Sequence, residues 1–279
     1  MLNAITIDLE DYYHASAFDH IIDKRNWGNM ESRIQQNLEK VLSILDEYKV
    51  KATFFTLGWI AERHPILIRT IVNEGHEIAS HGYNHKMINY HSKDSFKEDI
   101  IKTKKILEDI TGIKTKGYRA PTFSITNSSL WALDILCEHG HLYDSSIFPI
   151  RHDRYGIPHA KRFPHIIKLN GNRNIKEFPP STIRILECNF PIAGGGYLRL
   201  FPIKFIEWGI KKLNVVEKQP AVIYTHPWEF DPAQPRIPSS WLCRFRHYSN
   251  LDSTEKKLRH LIKNFKFTTL NKMCTYLFK

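Results

Sequence analysis

Short apolar runs alternate along the chain with longer segments in which apolar residues recur every three or four positions. Residues 2–8, 51–57 and 77–80 have the length of buried strands, whereas residues 31–48 place apolar side chains on one helical face. The alternation continues to the end, predicting further strands at 116–119, 141–144, 175–178, 221–225 and 265–270 and helices at 65–75, 94–110, 128–138, 202–213, 254–262 and from 271 onward.

Repeated strand–helix units of this length predict parallel strands joined by right-handed helical crossovers. About seven or eight such units in 279 residues favour an α/β barrel over an open sheet. We expect a single domain over residues 1–279, with a core at 2–232 and a helix–strand–helix segment at 250–279 that completes the barrel.

Two segments lack a clear period. Residues 150–174 are rich in Pro, Gly, Asn and Arg, which is typical of a long excursion over the surface. The three glycines at 194–196 are not followed by phosphate-loop residues, so we expect a flexible loop rather than a nucleotide site. This loop and the aromatic-rich segment 227–241 could both cover a site.

Polar residues with catalytic chemistry stand at the ends of predicted strands. In a barrel of parallel strands the carboxyl ends meet on one face, so these side chains are expected to converge. Five residues share this placement: Asp8, His81, Arg119, Asp144 and His226. Their coincidence is the main sequence argument for an active site.

The spacing of His81 and His85 predicts a metal site if the chain curls through one turn there. A third ligand would come from Asp8, Glu10 or Asp11, and a second carboxylate of that cluster could take a proton from water. These parts suit hydrolysis of an ester or amide through a tetrahedral oxyanion.

Across the predicted site, His226 could protonate a leaving atom and Arg119 could keep the base ionised. Structural alternatives stay open: Arg119 could pair with a structural acid, His226 could be a core histidine, and Asp144 could be a turn former. Tyr83, Tyr118 and Trp228 near these strand ends could form a platform for a sugar, although aromatic residues more often lie in the core.

Composition and charge limit the kinds of binding partner and the cellular compartment that we expect for the protein. The net charge of +11 could mark nucleic acid, an acidic glycan or membrane headgroups, but no nucleic-acid motif or compact basic run is present, so we expect no nucleic-acid partner. Solvated helix faces account for spread-out bases equally well. Four scattered cysteines without a Cys-x-x-Cys pair fit a reducing compartment, and the N-terminus lacks the basic flank of a signal peptide. We therefore expect a cytoplasmic protein.

Taken together, five motifs resemble the polysaccharide deacetylases, the NodB-homology enzymes of carbohydrate esterase family four. They occur in that family's order: TIDLEDY at 6–12, HGYNH at 81–85, RAP at 119–121, YDSS at 143–146 and THPWE at 225–229. The likeness is to the bacterial branch with allantoinase-like and peptidoglycan-deacetylase-like members, often encoded with exopolysaccharide genes. It implies a distorted (β/α) barrel of about seven strands and one divalent ion, zinc or alternatively cobalt, nickel or manganese.

The resemblance also implies roles, position by position. Asp8 matches the general base, His226 the general acid and Arg119 the residue that positions the base; His81 and His85 match the metal pair. The substrate contacts that it suggests are Tyr83, Pro121, Asp144 and Trp228.

The third metal ligand is ambiguous because the family's first motif has two adjacent aspartates, whereas Asp8 here is followed by Leu9-Glu10-Asp11. Strand alternation puts Glu10 on the same side as Asp8, but a turn after Asp8 would bring Asp11 inward. We choose Asp11 on side-chain type, with Glu10 as the alternative.

Three functions are compatible with these features. The first is removal of an N-acetyl group from an N-acetylhexosamine in a surface polysaccharide or its lipid-linked precursor. The second is allantoinase-like hydrolysis of a small cyclic amide, for which a closed pocket rather than a long groove would speak. The third is an inactive glycan-binding protein. Peripheral association with the inner face of the membrane and a homo-oligomer are further expectations.

Overall fold

The computed structural model describes residues 1–278, in which helices and strands alternate much as the pattern predicts. The strands are β1 Leu2–Leu9, β2 Thr53–Thr56, β3 Glu77–Ser80, β4 Gly117–Tyr118, β5 Tyr143–Asp144, β6 His165–Lys168, β7 Asn174–Glu177, β8 Thr182–Ile185, β9 Cys188–Pro191, β10 Val222–Thr225 and β11 Lys266–Thr268. The helices are α1 Ile34–Glu47, α2 Gly58–Arg63, α3 Pro65–Asn73, α4 Lys93–Thr111, α5 Trp131–Glu138, α6 Gly195–Leu200, α7 Ile203–Lys211, α8 Trp241–Tyr248, α9 Leu251–Asn264 and α10 Leu270–Leu277.

Nine strands form one curled sheet in the order β10-β1-β2-β3-β4-β5-β7-β6, and β11 pairs with the start of β1. Every pairing is parallel except that of β6 with β7. The prediction of a distorted (β/α) barrel is confirmed, with eight parallel strands instead of about seven. Because the strands run in one direction, their carboxyl ends lie on one face.

Among the described residues, no hydrogen-bonded strand pairing joins β7 to β10, so the sheet itself leaves the barrel open on that side. The antiparallel hairpin of β8 and β9 occupies this side, and the segment after it lies along β10, where the backbone N–H of Tyr224 donates to the carbonyl of Ala193 over 2.8 Å. Next to this contact a Cβ on Gly194 would stand 1.7 Å from the carbonyl oxygen of Tyr224, so only glycine allows the approach. The glycine run is therefore a packed part of the barrel wall, and the expectation of a flexible loop was wrong.

The core explains why β1 is the central strand. Residues 3–9 are buried on both sides because β1 contacts three strands and is covered by helices, as a strand in a parallel sheet requires. The segment 150–174, expected to be irregular, contains β6, which pairs with β7 at the sheet edge. Sequence periodicity also missed the short helices α2 and α8 and the β8–β9 hairpin. Over residues 1–278, no helix combines the length and hydropathy that crossing a membrane requires.

Candidate metal centre and active site

Glu10 lies one residue beyond the end of β1 and faces two histidines. Its Oε1 atom is 2.9 Å from Nε2 of His81 and 3.1 Å from Nε2 of His85. All three side chains are buried, with exposed fractions of 3% or less. The two histidines predicted to act as a pair are thus brought together with a carboxylate of the β1 cluster.

Local backbone geometry brings the histidines to this point. His81 follows β3, and its N–H donates to the carbonyl of Thr56 on the neighbouring strand. Gly82 and His85 adopt left-handed conformations, with φ of 72° and 52°, which turn the chain back toward β1. The Nζ of Lys24 donates to the carbonyl of His85 over 3.0 Å and holds the turn in place.

The donor set fits a divalent metal ion. The Nδ1–H of His81 donates to the carbonyl of Arg119 over 2.8 Å, so Nε2, which faces Glu10, is the nitrogen that would bind a cation. Ligands of a tetrahedral ion such as zinc, each about 2 Å from it, stand roughly 3.3 Å apart, close to the separations seen here. Burial alone would raise the pKa of Glu10, but the charge of His85 and hydrogen bonds from both histidines hold it well below its usual value.

Asp11 is turned away from this centre, which corrects its choice as the carboxylate ligand. Its Oδ2 accepts from the backbone N–H groups of Arg33 and Ile34, at 2.8 and 3.1 Å, and from the hydroxyl of Ser32, at 2.9 Å. Oδ1 accepts from the N–H of Tyr12 over 2.9 Å. Asp11 therefore satisfies donors at the start of α1, and the strand alternation that favoured Glu10 describes the site.

Asp8 and Arg119 form a buried ion pair beside the metal centre. Nη1 of Arg119 donates to Oδ1 of Asp8 over 2.6 Å and to the hydroxyl of Thr6 over 2.8 Å. Its Nε and Nη2 donate to the carbonyl and hydroxyl of Ser145. Four acceptors thus fix one guanidinium, which in turn orients the carboxylate of Asp8.

His226 lies on the other side of Asp8, its Nε2 3.8 Å from Oδ2 of that aspartate. Its Nδ1 is 3.5 Å from Oε2 of Glu229, whose Oε1 accepts from Nε of buried Arg199 over 3.0 Å. Burial would lower the pKa of His226, but the negative charges of Glu229, Glu10 and Asp8 raise it to about 9. The imidazole is therefore a cation at neutral pH, with its Nε2 aimed at the site.

Glu229 contacts the candidate general acid, and the sequence pattern gave it a place in a motif but no role. The signal that could have found it is its spacing: three residues after His226, a short helical turn returns its carboxylate to the imidazole. The burial of Arg199, 30 residues upstream in α6, has no comparable signal in the sequence.

The predicted substrate contacts divide into two groups. Trp228 lines the site, stacks on His226 at 5.1 Å between ring centroids and, over residues 1–278, has a buried Nε1–H without a partner. Tyr83 instead points toward α2 and α4, where its hydroxyl donates to Glu62 and its ring lies under the ammonium of Lys102.

Asp144 and Pro121 also lie outside the cavity. Asp144 is fully buried and accepts from the N–H and hydroxyl of Ser146. It lies near Glu177, whose pKa is well above its usual value because of burial and the charge of Asp144. Pro121 packs beside Gly82, in the turn that carries His81 and His85. Tyr83, Asp144 and Pro121 pack around the site and do not line its cavity, which corrects those three assignments.

The facing groups open into a cavity of about 150 Å³. Asp8, Glu10, His81, His85 and His226 line it together, as the convergence of strand ends predicts. Toward solvent the lining includes the exposed side chains of Arg154 and Arg246, so the entrance is basic.

Comparison with known proteins agrees with this geometry. Residues 15–137 match the family described as polysaccharide deacetylase. This match covers less than half of the 279 residues, so it shows a resemblance to the family over that segment. Residues 145–275 match a domain family of unknown function, DUF3473. The candidate site draws on both matched segments and on β1, which precedes them.

The similar proteins of known description align with only part of this chain. A peptidoglycan-N-acetylglucosamine deacetylase from Bacillus cereus is 40% identical over 96 residues, 34% of this chain and 35% of that protein. A peptidoglycan deacetylase from Helicobacter pylori is 28% identical over 172 residues, 61% of this chain and 57% of that protein. The chain thus spans between about a third and just over half of these relatives' lengths.

Solved structures share the fold over nearly the whole chain. A candidate polysaccharide deacetylase from Mycobacterium smegmatis superposes with a TM-score of 0.66 at 21% identity, covering 99% of this chain and 89% of that one. The PuuE allantoinase gives a TM-score of 0.60 at 14% identity, covering 96% and 86%. The predicted resemblance to the NodB-homology fold is therefore confirmed.

Proposed function

We propose that the protein is a metal-dependent hydrolase that removes the N-acetyl group from an N-acetylhexosamine of a polysaccharide or its precursor. One observation carries the proposal: a candidate metal-ligand set, a guanidinium-held carboxylate and a cationic imidazole all face one small cavity. The relatives named as peptidoglycan deacetylases support the same reaction on N-acetylated glycans.

Glu10, His81 and His85 would hold the metal. A divalent ion bound there supplies Lewis acidity that activates water and polarises the amide carbonyl. Zinc suits two imidazoles and one carboxylate best, and cobalt, nickel or manganese would fit the same donors.

The chain's own residues would move the protons. Asp8 has Oδ1 on Arg119 and Oδ2 free toward the cavity, so it can accept a proton from the attacking water as a general base. His226, whose Nε2 lies 3.8 Å from Oδ2 of Asp8, carries a proton and can deliver it to the amide nitrogen as the C–N bond breaks. The products are acetate and a free amine.

The indole N–H of Trp228 is a candidate donor to the substrate, because it is buried against the cavity and pairs with nothing in the part of the chain that is described. The cavity is smaller than the roughly 300 Å³ of a typical small-molecule pocket. It therefore suits an acetamido group and the adjoining part of one sugar, with the remainder of a glycan lying outside along the basic entrance.

The test is acetate release by the full chain from N-acetylglucosamine oligomers with added zinc or cobalt. Activity should disappear on chelation and in His81→Ala, and should persist in His20→Ala, a control at an exposed histidine outside the cavity. Activity that survives both chelation and His81→Ala would refute the mechanism.

A second candidate, hydrolysis of a small cyclic amide, is favoured by the limited cavity volume and by the shared fold with an allantoinase. Allantoin should be offered in parallel under the same conditions, and turnover of allantoin alone would select this function. An inactive glycan-binding protein is disfavoured because base, acid and candidate ligands are all retained. We keep a cytoplasmic location as part of the proposal, to be tested by fractionation of cells.

A further inference from the structure

Helix α8 turns its apolar side outward, the reverse of an ordinary surface helix. Trp241, Leu242 and Phe245 are 78%, 42% and 50% exposed, whereas the buried residues of the helix are Cys243 and His247. At 100° per residue, Phe245 points opposite the buried pair, with Trp241 and Leu242 on either side of it. Clustered large apolar side chains on a surface mark an interaction site.

This helix is firmly held, so the outward face is a fixed feature. The thiol of Cys243 donates to the carbonyl of Ala17 over 3.3 Å. The ring of His247 stacks on Trp228 at 4.1 Å and its Nε2 hydrogen-bonds Gln234 over 2.9 Å. Because Arg246, at the edge of the outward face, also lines the cavity toward solvent, this face of α8 borders the cavity entrance.

Positive charge flanks the apolar face. Arg244 and Arg246 are exposed on its two sides, and Arg236 lies over the ring of Tyr248 at the end of the helix. Arg244 forms no ion pair with any residue in the range 1–278, and Arg246 has only Asp153, at 3.5 Å. Trp and Phe side chains between arginines are the composition of a helix that lies in the membrane interface.

We propose that α8 docks the protein on a bilayer surface rich in anionic lipids and holds the cavity entrance at the headgroups. Charge complementarity carries the choice of occupant, since the chain has a net charge of +11 and the patch is basic. A symmetric pairing of two copies through this face would bring the arginines of both helices together, which like-charge repulsion opposes. The docking goes beyond the proposed deacetylation and does not depend on it.

The experiment is co-sedimentation of the full chain with vesicles of phosphatidylcholine alone or with phosphatidylglycerol. The wild-type protein should bind the anionic vesicles and bind the neutral ones weakly. Exchanging Trp241, Leu242 and Phe245 together for serine should weaken binding about tenfold or more. Arg244→Gln should weaken binding roughly fivefold at low salt and less at high salt.

Trp208→Ser is the matched control, because Trp208 is 47% exposed on α7 and does not line the cavity. Its binding should stay within about twofold of wild type. Equal binding by the triple variant and wild type, no binding of anionic vesicles, or a larger loss from Trp208→Ser would overturn the proposal. Sedimentation in which the triple variant breaks a dimer, with no vesicle binding by wild type, would assign the face to a second copy.

Acetate release from water-soluble oligomers, measured on the same variants, separates docking from catalysis. The triple variant should retain this activity, because none of its three positions lines the cavity. If all variants bind vesicles as expected and none releases acetate, docking stands and the proposed function fails.

Discussion

Removing the charge of Glu229 should shift the pH range in which the enzyme works. Glu229 is fully buried, and its two oxygens face Nδ1 of His226 and Nε of Arg199. In Glu229→Gln the amide keeps nearly the same shape, but His226 loses the nearest of its negative neighbours and keeps only Glu10 and Asp8. We therefore expect the pKa of His226 to fall and the proposed general acid to lose its proton near neutral pH.

The size of the effect follows from the geometry. Two unit charges 3.5 Å apart interact by about 5 kcal/mol at an effective dielectric constant of about 20. The whole rise in the pKa of His226, from 6.5 to about 9, corresponds to only about 3 kcal/mol, because burial opposes the carboxylates. Losing Glu229 should therefore return the pKa to about 6.5 or lower. At about pH 7.5 the protonated fraction then drops from nearly all to roughly a tenth.

The assay is the pH profile of kcat/KM for acetate release by the metal-loaded enzyme. A cation bound at Glu10 offsets the part of the rise in the pKa of His226 that is due to that carboxylate. The basic limb of the wild-type pH profile should therefore lie between about pH 7 and 9. Glu229→Gln should move it down by about one unit or more and lower kcat/KM about tenfold at about pH 7.5. Glu229→Asp, which keeps the charge, should restore part of the limb. Glu39→Gln, at an exposed position on α1, is the matched control.

The same pair links protonation to stability. Because the folded pKa of His226 is raised, its charged form stabilises the fold fully below about pH 6.5, and this contribution is lost as the pH rises through about 9. The melting temperature of Glu229→Gln should not show this loss of stability as the pH rises through about 9. A basic limb and an unfolding profile that match wild type, in a folded variant, would refute the assigned role of Glu229.

The remaining predictions concern neighbouring residues. Asp11→Ala should lower the free energy of unfolding by about 2–3 kcal/mol, measured by urea denaturation, and should leave metal affinity intact, because Asp11 caps α1. Glu10→Gln should change the free energy of unfolding little and should reduce metal affinity at least about 100-fold. Arg119→Met should cost about 3–5 kcal/mol and most activity, since it leaves Asp8 buried without its partner. Tyr83→Phe should change kcat/KM by less than about threefold, because its hydroxyl bonds Glu62 outside the cavity.

Much of the site could be predicted because parallel strands deliver their last residues to one face. His81 and His226 each follow a run that was long enough to predict a strand, Arg119 ends the short predicted strand 116–119, and Asp8 stands near the end of β1. The side of the sheet follows from the order of residues along each strand. Their approach to one another could therefore be inferred without coordinates.

The details that failed depend on contacts distant in sequence. The choice between Asp11 and Glu10 as metal ligand depends on what each side chain contacts. The groups that donate hydrogen bonds to Asp11 lie at the start of α1, more than 20 residues downstream. The glycine run looked flexible because the backbone of β10 that it packs against comes 30 residues later. Helix α8 escaped detection because its apolar residues face solvent, so its pattern does not describe an ordinary half-buried helix.

The proposed reaction requires a divalent ion held between β1 and the turn after β3. The most direct measurement is anomalous diffraction from crystals of the zinc-loaded protein, recorded above and below the zinc edge. We predict one strong peak bound by Oε1 of Glu10 and the Nε2 atoms of His81 and His85, with Asp11 still at the start of α1. A peak bound by Asp11, or no peak between these histidines in a zinc-loaded active enzyme, would contradict the account.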